Sequence, residues 1–201
     1  MKILSIILLS AILLAGIFYK FYLPADQTLV TTLVYPKAKL LPNFNLIDHN
    51  AKSFTNEQLK NKWSVVFFGF TYCPDVCPTT MAALSQIANK LPPEIMSQLQ
   101  FVFVSVDPER DTAERLAEYI AFYHSDFIAL TGGDEQLQQF SLSLGAVYMK
   151  VPTEESYTMS HSSRLFIIDP KGQRYGIFSN SDSGAIDVVA ITQDLETIIN
   201  R

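Results

Sequence analysis

"FFGFTYCPDVCPTTM", Phe67 to Met81, carries both cysteines of this 201-residue chain, Cys73 and Cys77, with three residues between them. They follow an unbroken apolar run, "WSVVFFGF" (Trp63 to Phe70), which has the length of a strand buried on both faces. They precede Thr79 to Leu91, where Met81, Leu84, Ile87, Ala88 and Leu91 recur at helical spacing until Pro92-Pro93 stops the pattern. A buried strand turning straight into a helix is the building unit of an α/β sheet. The carboxyl end of such a strand is where open α/β sheets place their chemistry.

The alternation continues outward from this stretch. "FNLIDHNAKSFT" reads as a short hairpin turning at Asp48-His49-Asn50, and "NEQLKNK" as one or two helical turns. "QFVFVSV", Gln100 to Val106, is a second buried strand. Asp111, with Glu114 three residues on, predicts a capping-box start to a helix whose apolar stripe is Leu116, Tyr119, Ile120 and Tyr123. "DEQLQQFSLSLG" is another helix, ended by Gly145. "AVYMKV", "RLFIID" and "YGIFS" are strand-like, the last two joined at Pro170-Lys171-Gly172, and "AIDVVAITQDLETIIN" closes as an amphipathic helix. The sequence predicts an α/β domain over 40–201, with a central mixed sheet flanked by helices.

Composition sets the outer bounds. With 48% hydrophobic and 17% charged residues the chain can bury a core and does not read as disordered. The formal charge is −5, and the first 21 residues hold Lys2 and Lys20 but no acid, so the remainder is more acidic still. An acidic body without a basic run lacks the phosphate-neutralising side chains that nucleic-acid binding needs.

The N-terminus has a different character. Ile3 to Tyr19 is 17 residues without a charge. That is roughly 26 Å of helix, or roughly 31 Å once Lys20 snorkels and Phe21, Tyr22 and Leu23 are included, against a hydrocarbon core of about 30 Å. "AGIFYKFYLPADQ" offers no small-x-small cleavage site, and no cysteine follows "LLAG" to carry a lipid. Residues 1–23 read as an uncleaved signal anchor with a cytoplasmic N-terminus, ahead of a cleaved signal or a buried soluble helix, and 24–39 as a tether. The body is then exported, to the periplasmic side of a cytoplasmic membrane.

Three chemistries compete for the cysteine pair. A purely structural disulfide would close a loop of about five residues and stabilise by roughly 2 kcal/mol, near the low end for such bonds. A redox dithiol is suggested by Cys-x-x-Cys after a strand, here one residue longer. In helical backbone the two thiols share one face a turn apart, and a helix N-terminus would lower the Cys77 pKa. The same geometry can aim two thiolates at one soft metal ion, which imidazole would complete. His49 reads as a solvated turn residue and His124 as a helix-terminal one, which leaves His161, in a polar stretch before a buried strand, as the candidate. Two thiolates and one imidazole make a poor structural zinc site, normally closed by four ligands, and suit low-coordinate copper better.

"FFGFTYCPDVCPTT", "VSVDPERDT", "ALTGG" and "YTMSHSSRLFIIDPKG" together, in order and spacing, resemble the SCO (SenC) family of copper chaperones, over roughly Leu40 to Ile199. The resemblance implies a thioredoxin-like fold behind one N-terminal membrane helix. It implies one copper, Cu(I) or Cu(II), held by Cys73, Cys77 and His161. It implies a part in cytochrome c oxidase assembly, either delivering copper to the dinuclear copper site of a subunit or reducing that subunit's cysteines so that copper can enter. Expected partners are therefore that copper-receiving subunit, a thiol reductant and the membrane. The family's histidine loop lies where other thioredoxin-like proteins carry a cis-proline, and no proline occurs from Ser160 to Arg164. Tyr72 stands where many relatives have histidine, and Ser160 where many have an acid. Asp107, at a strand end, is expected near the site, with Arg110 pairing a carboxylate. The rival reading is a thiol-disulfide oxidoreductase acting through Cys73 and Cys77; a peroxide-reducing enzyme fits a paired Cys-x-x-x-Cys poorly.

Overall fold

The computed structural model describes residues 28–179 and 185–201. The expected membrane helix over 1–23 lies outside the described residues, and among those described no helix is long and apolar enough to cross a membrane. Strand β1 is Thr32–Leu40, β2 Asn45–Asp48, β3 Ser53–Thr55, β4 Trp63–Gly69, β5 Leu99–Ser105, β6 Ile128–Thr131, β7 Tyr148–Pro152, β8 Tyr157–His161, β9 Leu165–Ile168 and β10 Gln173–Phe178. The α-helices are α1 Val76–Lys90, the single turn α2 Pro93–Met96, α3 Ala113–Ala121, α4 Asp134–Leu144 and α5 Val188–Ile199; Asn56–Leu59 is a 3-10 turn.

Eight strands form one sheet in the order β1-β10-β9-β4-β5-β6-β2-β3. β5 runs parallel to β4 and to β6, whereas β9 and β10 return antiparallel on the other side. This is the mixed sheet expected of the alternating sequence. β4 and β5 are continuous apolar runs because both faces are covered: Val65 to Phe68 and Phe101 to Val104 are all buried. Phe68 meets Phe166 edge-on at 5.7 Å and Phe140 at 6.0 Å, which ties α4 and β9 to the centre of the sheet. Helix α5 packs against α1. Gly145 takes φ 87 and so ends α4 in the left-handed conformation that a glycine reaches without strain.

Thr32–Leu40, all but its last residue in the stretch 24–39 read as a tether, is hydrogen-bonded along β10 as an edge strand. Its start is clamped. Asp194 of α5, 1% exposed, accepts hydrogen bonds from the backbone N–H groups of Val30 (2.6 Å), Thr31 (2.8 Å) and Thr32 (2.7 Å) and from both threonine hydroxyls. Burial opposes ionisation of Asp194, but these donors outweigh it and hold its carboxyl below the usual range.

The capping expectation for α3 needs correction. Thr112, not Asp111, is the N-cap, its hydroxyl accepting from the Arg115 N–H at 3.3 Å. Asp111 is fully buried and turns to Thr71 and Ser105 instead.

β7 and β8 form a separate two-stranded sheet, with Tyr148 opposite His161 and Pro152 opposite Tyr157. The hairpin stands outside the main ladder.

Candidate metal centre

The loop after β4 is built to bring two sulfurs to the sheet end. Gly69 closes β4 directly beneath Cys77; a Cβ there would lie 2.9 Å from the Cys77 sulfur and 2.7 Å from the Phe103 ring. Thr71 is then seized by Asp111, whose carboxylate accepts from the Thr71 N–H (2.9 Å), the Thr71 hydroxyl (2.7 Å) and the Ser105 hydroxyl (2.6 Å). With the ends of β4 and β5 fixed to each other, the Cys73 N–H turns back to the Phe70 carbonyl at 3.2 Å. Helix α1 begins at Val76, three residues before the periodic stretch, so Cys77 is its second residue and Pro78 its third. Proline is tolerated at that position because the N–H groups of a first helical turn have no intrahelical acceptor. The Cys77 N–H points at the Cys73 sulfur, 3.4 Å away.

Both cysteines are free thiols, Cys77 buried and Cys73 half-buried. The helix N-terminus does not lower the Cys77 pKa as expected. Burial pushes this thiol well above its usual value; a hydrogen bond from the Phe70 backbone pulls the other way and is outweighed.

His161 comes from the far side of the chain. It ends β8, where Tyr157, Met159 and His161 share one face of the strand by the period of two. Its ring stands edge-on to Phe67 (6.0 Å) and Phe70 (5.9 Å), and burial holds its pKa below the ordinary value, so it is neutral at pH 7. Nδ1 lies 3.1 Å from the Ser162 carbonyl. That contact requires the proton on Nδ1, which leaves the Nε2 lone pair facing the Cys77 sulfur at 3.5 Å. The pair is thus a thiol donating to a neutral imidazole.

One ligand atom from each of Cys73, Cys77 and His161 lies within 4.8 Å of the others, and this is the group among the described residues able to hold a metal ion. A trigonal ion bonded to sulfur at about 2.3 Å and to nitrogen at about 2.0 Å spaces its ligands roughly 3.7 to 4.0 Å apart. The three side chains need only small shifts to reach that. Two soft donors and one imidazole, without a fourth, make a donor set that suits Cu(I). The other histidines are engaged elsewhere. His49 Nδ1 accepts from the Ala129 N–H at 3.3 Å, and His124 Nδ1 accepts from the Asp126 N–H at 3.2 Å while its ring stacks on Phe127.

In the wider surroundings of the three donors the sequence marked some residues and missed others. Asp107 is 1% exposed and pairs with Arg110, whose Nε donates to Oδ2 at 2.6 Å. Tyr157 donates its hydroxyl to Asp107 at 2.8 Å. Burial first, and the Asp107 carboxylate second, push that hydroxyl up to about 12. Tyr72 is 55% exposed on the rim, with the guanidinium of Arg110 4.9 Å and that of Arg115 5.6 Å from its ring centre. Ser160 is exposed on the opposite side of β8 from His161. Asp111 could have been found only by seeing that Thr71, 40 residues earlier, needs an acceptor.

Comparison with known proteins gives concordant likenesses. The SCO1/SenC family profile matches residues 34–199. A protein of Stutzerimonas stutzeri described as a putative copper-binding protein is 41% identical over 145 residues, covering 72% of this chain and 71% of its own. The solution structure of apo Sco1 from Thermus thermophilus superposes with a TM-score of 0.75 at 30% identity, covering 87% of this chain and 99% of that one. The crystal structure of Arabidopsis thaliana ScoI with copper bound gives 0.70 at 30% identity, covering 81% of this chain and 100% of that one. The sheet and its flanking helices are thioredoxin-like.

Proposed function

The chain belongs to the SCO1/SenC family, and from that premise we propose that it is a membrane-tethered copper chaperone holding one copper between Cys73, Cys77 and His161. The observation that carries this reading is the convergence of those three donors at one sheet end. The cargo is delivered to the dinuclear copper site of a cytochrome c oxidase subunit. In this proposal residues 1–23 anchor the chain in the cytoplasmic membrane, the segment before β1 leads to the body, and the body works on the exported side. The tether would raise the effective concentration of the donor near a membrane-bound acceptor.

The residues divide the work simply. Cys77 gives up its proton on metal entry, and His161 enters neutral with Nε2 presented. Cys73, the more exposed sulfur, is the one an acceptor ligand reaches first. Oxidation of the two thiols to a disulfide, with two electrons and two protons passing to an acceptor disulfide, removes two of the three donors. The test is anaerobic titration of the reduced body with Cu(I) against a competing chelator, with X-ray absorption reading the donors. One equivalent with mixed sulfur and imidazole coordination is expected; failure to compete with a moderate chelator overturns the reading.

A second reading rests on the two free, neighbouring thiols of unequal exposure. Such a pair can act as a reductant of the subunit's cysteines, the less buried Cys73 attacking and Cys77 resolving. It predicts that His161→Ala keeps disulfide reduction intact while losing tight copper binding.

A further inference from the structure

The strand that carries His161 packs on the body through Met159 and the His161 ring, and is fastened at its other end by a polar latch. Among the described residues, β7 and β8 pair as a sheet only with each other. At the base, the Ser162 N–H donates to the Val147 carbonyl at 3.0 Å. Between base and tip the hairpin spans a cleft of about 330 Å³, with Tyr148, Lys150 and Met159 on its side and Asp107, Glu109 and Asp134 on the body's side. Close packing holds β8 at buried Met159 and at the His161 ring, whereas the end at Tyr157 is only half-buried and adds polar contacts.

Tyr157 bridges the gap. Its hydroxyl donates to buried Asp107 at 2.8 Å, with Glu109 Oε2 at 3.3 Å. Its carbonyl accepts from Arg110 Nη1 at 3.2 Å, and the same guanidinium lies 3.9 Å from the centre of its ring. Arg110 is itself fixed by Asp107, so the tyrosine meets a preset acceptor and a preset cation. The second strut, Lys150 to Glu109 at 2.6 Å, joins two exposed side chains, and such pairs contribute little. Tyr157 and His161 lie on the same face of one strand, about 13 Å apart along it. Whatever fixes one end of that strand fixes the other.

We propose that Tyr157 is a positioning residue for His161: the bond from its hydroxyl to Asp107 keeps β8 closed on the body, and opening of this latch lets the imidazole leave and the metal pass on. The proposal rests on the three-donor reading of the site. It makes the barrier to release a polar contact remote from the donors, which an approaching acceptor can disturb without first competing for copper.

The experiment compares the chain with its Tyr157→Phe variant, which keeps the ring and deletes the hydroxyl. In the reduced, metal-free proteins, amide hydrogen exchange in β7 and β8 should quicken about tenfold, the weight of one hydrogen bond to a charged group, while β4 and β5 stay unchanged. In the Cu(I)-loaded proteins, transfer to a chelating acceptor should quicken by a similar factor, about tenfold, with mixed sulfur and imidazole coordination retained. In a His161→Ala background the same substitution should still loosen the hairpin but leave transfer unaltered. Lys150→Met should change either rate by less than about threefold. Unchanged hairpin exchange overturns the proposal, as does faster transfer that persists without His161. A chain that binds no Cu(I) at all defeats the site reading and the release claim with it, and hairpin exchange then reports separately whether the hydroxyl holds the strand.

Discussion

Nε2 of His161 stands 3.5 Å from the sulfur of Cys77, 84 residues earlier in the chain. The two meet because β4 and β9 are paired antiparallel, Phe67 opposite Leu165, so that the segment leaving β4 and the segment entering β9 share one end of the sheet. A metal ligand set assembled this way needs the tertiary fold.

Removing either partner of that contact should therefore be costly. Loss of groups that merely orient a ligand weakens metal binding by 10- to 100-fold. His161→Ala, Cys73→Ser and Cys77→Ser should each weaken Cu(I) binding by at least about a hundredfold. Chelator competition under anaerobic conditions measures this, and far-UV circular dichroism should show the fold intact in all three.

Acidity should oppose loading through Cys77. Its thiol is raised by burial, so at neutral pH copper must displace a proton there, and apparent affinity should climb about tenfold per pH unit from this group alone. His161 adds no opposition at pH 7, because burial holds its pKa below the ordinary 6.5; it competes only below that range. Competition titrations between pH 6 and 8 give the slope, and a flat profile would contradict the buried thiol.

Asp111 should matter more than any exposed charge. Asp111→Asn replaces one acceptor oxygen by an N–H₂ group facing the Thr71 or Ser105 donors. The expected loss is roughly 2–4 kcal/mol in urea unfolding, with Cu(I) affinity falling as the Thr71–Cys73 loop loosens.

Asp194 should protect the start of β1 in a pH-dependent way. Its carboxyl is depressed in the folded chain and titrates near 3.8 when free. The clamp is at full strength above that pH and is lost as pH falls through the lower folded value. The stability gap between the chain and Asp194→Ala should be widest above pH 5 and close in stronger acid, and amide exchange at 30–32 should quicken in the variant at neutral pH.

Gly69→Ala should disturb the site selectively. The added methyl meets the Cys77 sulfur and the Phe103 ring inside 3.0 Å, so one must move. Both are buried, and overpacking of this kind costs about 1–3 kcal/mol. Thermal unfolding measures that cost, and Cu(I) competition shows whether the sulfur is what yields.

The parts legible in the sequence are those whose pattern is local. β4, β5, α1 and α4 announce themselves by unbroken apolar runs or helical spacing, and the motif resemblance groups Cys73, Cys77 and His161. The features that escaped depend on partners far along the chain. Asp111 and Thr112 both suit an N-cap, and only the buried donors of Thr71 and Ser105 decide which of them is drawn away. The Cys77 pKa departs in sign from the helix-terminus expectation because two effects of unequal size oppose each other. A helix terminus contributes at most about 2 kcal/mol, whereas burial shifts a group by up to several pKa units, each worth about 1.4 kcal/mol. Residues 32–40 carry Pro36 and no clean alternation, so the strand they form is fixed by β10 and by Asp194 rather than by their own propensity.

The register of β1 has a directional consequence. Thr32 lies opposite Phe178, Phe178 opposite Leu165, and Leu165 opposite Phe67, so the four form one row across the sheet. The polypeptide enters the body at the same pole that carries the sulfurs, displaced sideways by three strand spacings, roughly 14 Å. In the proposed membrane-anchored arrangement, a leash fastened there, with Asp194 as its cleat, would turn the copper-bearing pole back toward the surface from which the leash comes. Fastened at Leu40 instead, it would present that pole to open solvent.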